Sequence, residues 1–167
     1  MISKSLEELM NEQVEKEAFS SNLYLSMASW AENQGFEGIA DWFYAQAEEE
    51  RMHMLKFVRY INERGGKAIV PALEKPEADF PNVKFIFDES LKHEKYITGE
   101  INNIFKAAVE ENDYAAQNWL QWFIAEQFEE ETSVQRIIDK LNIMGDHNMY
   151  IFDRDIMSMR GEEHGEQ

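Results

Sequence analysis

Apolar residues recur at alternating spacings of three and four along four long stretches of this chain. That spacing marks helices that bury one face. From 116 to 141 the seam reads Ala116, Leu120, Phe123, Gln127, Glu130, Val134, Ile137, Leu141. An earlier stretch reads Ile39, Phe43, Gln46, Glu50, His53, Phe57, Ile61. A third gives Val83, Phe87, Leu91, Glu94, Ile97, Ile101, Ile104, Ala108, and the first gives Met10, Val14, Glu17, Tyr24, Ala28, Ala31. Every seam is apolar at both ends and carries a glutamate near its middle.

Proline and glycine set the boundaries. Pro71, Pro76 and Pro81 fall in one short segment, and the rest of the chain is free of proline, as long helices require. The expected helices span about 5–34, 38–64, 83–111 and 114–144, with a shorter amphipathic fifth over about 147–159 through Met149, Phe152 and Ile156. Ser5-Leu6-Glu7-Glu8 reads as a capping box, and Gly35 and the pair Gly65-Gly66 as stops. At 1.5 Å per residue each long helix reaches about 40–47 Å. The first and second helices join through a short loop, as do the third and fourth, so each pair is antiparallel. Lys67 to Asn82 is too long for a simple turn and can stretch to roughly 50 Å. It can cross the whole bundle and make the second and third helices parallel. The reading is all-α: a four-helix bundle with a long crossover and a short fifth helix, one domain over 1–160, and a disordered polar tail over 161–167.

In such a bundle Glu17, Glu50, Glu94 and Glu130 converge at one level, and His53 shares a helix face with Glu50. Burying four unpaired carboxylates costs several kcal/mol each, so they take up protons or bind cations. No lysine or arginine occupies these seams near that level. Two divalent metals balance four carboxylates. Hard carboxylates with one imidazole suit iron or manganese, with zinc a competitor. Tyr24 is either core packing or a redox or hydrogen-bonding partner. Glu49, Glu126 and Glu129 lie just off the seams and fit a solvated face as well as a further metal site. Trp122 reads as packing, and His93, His147 and His164 read as surface residues.

Composition narrows the partners. The 33 Asp and Glu against 16 Lys and Arg give a net charge of −17. That excludes an electrostatic grip on nucleic acid or an anionic membrane surface and favours metal cations. Cysteine is absent, which excludes disulfides and thiolate metal sites. No stretch is long and apolar enough to span a bilayer, the N-terminus lacks a signal-peptide core, and a cytoplasmic location is expected. These residues leave three classes open: metal-oxidising storage protein, di-iron oxidase of an organic substrate, or structural bundle.

The sequence resembles the ferritins, and more narrowly the bacterial-type non-haem ferritins, over about 1 to 160. The markers are Glu17 in Glu-Lys-Glu-Ala-Phe, Ser-Asn-Leu-Tyr-Leu-Ser-Met at 21–27, Glu49-Glu50-Arg-Met-His53, Glu94 in His-Glu-Lys, and Glu126-Gln127-Phe-Glu129-Glu130. The resemblance implies a ferritin-like bundle with ferroxidase activity. By that resemblance, Fe²⁺ would be oxidised with O₂ or peroxide at an intra-subunit di-iron centre and Fe³⁺ oxide-hydroxide stored in a hollow shell of 24 subunits. It implies one iron on Glu17, Glu50 and His53, bridged by Glu50 to a second on Glu94 and Glu130. It further implies Gln127 close by and a third iron site on Glu49, Glu126, Glu129 and Glu130. A second Glu-x-x-His, as in bacterioferritins, is missing, because its place reads Gln127-Phe-Glu-Glu130. Arg51 stands where bacterioferritins carry the haem methionine, so no haem is expected.

Overall fold

The computed structural model describes residues 1–160. Helix α1 spans Lys4–Asn33, α2 Glu37–Glu63, α3 Val83–Glu110, α4 Tyr114–Met144 and α5 Met149–Asp155, followed by a 3₁₀ turn at Ile156–Met159. The described residues contain no strand. The expected fifth helix is therefore shorter and ends in a tighter turn.

Side-chain caps set most starts. Asn82 Oδ1 accepts from the Phe85 amide at 2.9 Å, and Asp113 Oδ1 accepts from Ala116 at 3.0 Å. The expected capping box at Ser5 is not used. Ser3 is the cap instead, in extended backbone, and its Oγ accepts from the Leu6 amide at 3.1 Å. The reason is tertiary: the Ile2 amide donates to Arg64 O at 2.9 Å, which holds the chain extended up to Ser3. Gly35, at φ +86°, ends α1 in the left-handed region that favours glycine.

The crossover runs along α1 from one end to the other. Asn11 grips it near the start, donating to Lys67 O at 3.0 Å and accepting from the Ile69 amide at 2.8 Å. Ser26 donates to Glu77 O at 2.6 Å, and Phe80 packs edge-on to Trp30. The chain thus returns to the end where α2 began, and α3 runs parallel to α2, as the loop length predicts.

The apolar core comes in two separate parts. One holds Tyr24, Phe43, Phe87, Val134 and Ile137, and the other Met10, Phe57, Ile101, Leu120 and Phe123. The buried polar side chains belong to neither part. Of the residues on the four predicted seams, Leu91 alone is not fully buried, and Ser90 beside it is buried instead. The fifth helix packs on the first half of α2. The Ile39 amide donates to Asp153 Oδ1 at 2.8 Å, and a Cβ on Gly38 would lie 1.8 Å from Asp153 O. A side chain at Gly38 would push the whole C-terminal segment off α2.

Candidate metal centre

Helical phase brings Glu17 from α1, Glu50 and His53 from α2, Glu94 from α3, and Gln127 and Glu130 from α4 into the interior. None is more than 4% exposed. The ligand atoms of Glu17, Glu50 and His53 lie within 4.8 Å of one another, close enough to share one ion. His53 Nδ1 is 3.4 Å from Glu50 Oε2 and 3.8 Å from Glu17 Oε2. Glu17 Oε1 accepts from Gln13 Nε2 at 2.8 Å. Four of the centre's ligand atoms have no hydrogen-bond partner: Glu17 Oε2, Glu50 Oε1, His53 Nδ1 and Glu130 Oε1. Buried polar atoms rarely stay unsatisfied, so this set has the chemistry of a cation site.

The opposite wall is more fully hydrogen-bonded, with Glu130 Oε1 its one unpartnered ligand atom. The Tyr24 hydroxyl donates to Glu94 Oε1, and Gln127 Nε2 donates to Glu94 Oε2 at 3.1 Å. Ser90 Oγ donates to the Tyr24 oxygen at 3.4 Å, and Gln127 also reaches Thr98 Oγ1 at 3.3 Å. Glu130 Oε2 accepts from Gln46 Nε2 at 2.6 Å. Tyr24 therefore serves as a hydrogen-bond donor inside the core.

Burial, as the largest cause, raises the carboxyls of Glu17, Glu50 and Glu130 well above the usual carboxylate range. The next cause is Glu50 for Glu17, and Glu94 for Glu50 and Glu130. Glu94 is also raised by burial, but hydrogen bonds from Tyr24 and Gln127 oppose the rise. Burial, then the charge of Glu94, pushes the Tyr24 phenol well up, so it remains a donor. The metal-free centre thus holds protons that an arriving cation displaces.

The residues just off the seams part company. Glu126 joins His53 and Glu130 in a second grouping, with Glu126 Oε1 3.8 Å from His53 Nε2. Glu129 is exposed, and Glu49 Oε2 lies 2.6 Å from Arg160 Nη2. Trp122 packs edge-on to His53 at 5.5 Å between ring centroids.

One sequence reading needs correction, and one residue adds to the picture. Arg160 brings a cation to this level from the end of the fifth element, although the seams carry none. His93 is no surface residue: its Nε2 lies 2.6 Å from Ser20 Oγ, and burial lowers its pKa to about 4. Phe19, Ser20 and Tyr24 of α1 pack against it where a solvated face was expected. His147 is exposed, and His164 lies outside the described residues.

Gln13, Ser90 and Thr98 were missed, and a signal existed for each. Every one lies four residues from Glu17 or Glu94 on the same helix face. Arg160 had no local signal, because only the docking of the C-terminal segment brings it here.

The family model of the ferritin-like domain matches residues 7–144. The chain is 40% identical over 158 residues to a probable bacterial non-heme ferritin-like protein of Haemophilus influenzae, covering 93% of this chain and 96% of that one. It is 35% identical over 161 residues to a bacterial non-heme ferritin of Campylobacter jejuni, covering 95% and 96%. Its fold is similar to that of an open-pore ferritin from Archaeoglobus fulgidus, with a TM-score of 0.91, 35% identity, and coverage of 93% and 96%. With matches of this extent, and a buried Glu/His centre of the kind its sequence predicts, the chain belongs to the ferritin family, with the bacterial-type non-haem ferritins.

Proposed function

We propose that this chain is an iron-storage ferritin with ferroxidase activity. Fe²⁺ is its substrate and O₂ or peroxide the oxidant, and the Fe³⁺ product is stored as an oxide-hydroxide in a hollow shell of 24 cytoplasmic subunits. Residues 1–160 act as one ferritin-like domain. The observation that carries this reading is the set of four unpartnered ligand atoms gathered inside one subunit. Large apolar side chains left exposed at Val70, Tyr114, Phe128 and Ile143 support assembly into a larger particle.

Glu17, Glu50 and His53 hold the first iron, and Glu50 bridges to the second, held by Glu94 and Glu130. Each Fe²⁺ gives up one electron to the oxidant. Carboxylates favour Fe³⁺ over Fe²⁺ and so assist oxidation. The raised carboxyls release protons as iron enters, so uptake strengthens as pH rises. Gln127 and Tyr24 keep Glu94 in place between turnovers. Glu126, beside His53 and Glu130, is placed to take part in a third iron position, with Glu129 further out.

Adding Fe²⁺ anaerobically to the purified protein and then admitting air tests the reading. Far more than two irons per chain should be oxidised and remain in solution, in a particle whose light scattering gives 24 subunits. Retention of only two irons per chain would indicate a di-iron oxidase instead. Precipitation of all the iron would remove both functions.

A further inference from the structure

Glu49 is one of the acids expected to bind a third metal, yet it already faces a cation. Arg160 Nη2 lies 2.6 Å from Glu49 Oε2, with the two side chains only 11% and 25% exposed. The same guanidinium donates from Nη1 to Gln46 Oε1 at 3.1 Å, and lies over the buried Trp42 ring, 5.4 Å from its centroid. It is a built contact, since the preceding turn buries Ile156 and α5 is pinned to α2 at Gly38 and Ile39.

The contact extends inward. Arginine only donates, so Gln46 must turn its carbonyl oxygen toward Arg160. Its amide nitrogen then faces the centre and donates to Glu130 Oε2 at 2.6 Å. That leaves Glu130 Oε1 as the unpartnered oxygen. Arg160 thus sets which way Gln46 points, and Gln46 sets which oxygen of Glu130 is free.

We propose that Arg160 is the resident counter-ion of this corner: it keeps Glu49 out of metal binding and, through Gln46, presents Glu130 Oε1 to the inner centre. The inference rests on the di-iron reading above and makes Arg160 a positioning residue. A chain of this design holds two divalent ions tightly in its interior, and a third ion near Glu126 binds more weakly because Glu49 is withheld from it. A full positive charge held 2.6 Å from Glu49 as an ion pair opposes a second cation there.

The test is calorimetric titration of Zn²⁺ into the metal-free assembled protein, repeated with Co²⁺ to read the ligand-field spectrum. Wild type should bind two tight ions per chain. Arg160→Gln should bind a third, at least about tenfold tighter than any third ion in wild type, and its Co²⁺ spectrum should gain a new component. Arg160→Lys should return the count to two, and so should Arg160→Gln combined with Glu49→Gln. Circular dichroism should show all variants folded. An Arg160→Gln isotherm and spectrum identical to wild type would overturn the proposal while leaving the di-iron reading intact. So would a third ion in wild type that vanishes in Glu49→Gln. A wild-type chain that binds no tight Zn²⁺ or Co²⁺ at all would sink the di-iron reading and this inference with it.

Discussion

On the α1–α2 side of the centre, Glu17, Glu50 and His53 each leave a ligand atom without a hydrogen-bond partner. On the α3–α4 side, Glu94 gives one oxygen to Tyr24 and the other to Gln127. At those atoms the first half has no hydrogen bond to surrender when a cation arrives, only the protons its raised carboxyls hold. The second must exchange existing hydrogen bonds for metal bonds, and a hydrogen bond to a charged group contributes about 1.5–3 kcal/mol. Binding should therefore be ordered, first on His53, Glu17 and Glu50, then on Glu94 and Glu130. A weaker second position also suits a site that must pass its product on.

Glu50 belongs to both halves in the proposed arrangement, and its removal should have the largest effect. Glu50→Ala deletes the bridge and leaves the other carboxyls without a common partner. The initial rate of Fe²⁺ oxidation should fall about tenfold or more, equivalent to at least ~1.4 kcal/mol in the barrier, while helicity and assembly remain. Wild-type rates in stopped-flow oxidation would show that the two halves do not cooperate through this residue.

Tyr24 offers a finer cut. Tyr24→Phe removes a donor from Glu94 and keeps the ring that packs against Phe43. Glu94 then resembles Glu17, with an oxygen lacking a partner. We expect the second Zn²⁺ to bind several-fold more tightly and the metal-free protein to lose about 1–3 kcal/mol of stability. Unchanged affinity for the second ion would mean that hydrogen bonding does not set the difference between the halves.

How much of this was legible in the sequence depends on the distance over which each contact is determined. The seams through Glu17, Glu50, His53, Glu94, Gln127 and Glu130 follow from helical period alone, and all six are buried at one level. The parallel run of α2 and α3 follows from loop length. The cap at Ser3 did not, because a tertiary hydrogen bond from Ile2 to Arg64 moves the helix start. His93 reads as a surface residue because it belongs to no ligand pattern, but the ring reaches back to Ser20 on α1. Arg160 was invisible: nothing around it predicts that the chain folds back along α2 to bring it beside Glu49. Within one helix the period is enough, whereas contacts between elements far apart in sequence need the fold.

The smallest effect expected is a difference in pH response. Burial raises the Glu17 carboxyl well above its ordinary value of 4.5, so it is still protonated in the folded, metal-free protein at a pH where the unfolded chain has released its proton. The folded state then binds more protons than the unfolded state. The stability this group supplies is complete below about 4.5 and declines as pH rises toward the folded value. Glu94 is raised less strongly, because Tyr24 and Gln127 stabilise its charged form, so it should contribute a weaker decline. Thermal unfolding of the metal-free protein between roughly pH 5 and pH 8 should therefore show a midpoint falling with pH. Glu17→Gln carries no ionisable group at that position and should flatten the fall by a few degrees, and Glu94→Gln should flatten it less. Saturating Zn²⁺ should reverse the trend, because the ion binds the folded state and competes with the same protons. A larger flattening in Glu94→Gln than in Glu17→Gln would invert the assignment of the two halves, with Glu94 the strained carboxyl and Glu17 the satisfied one.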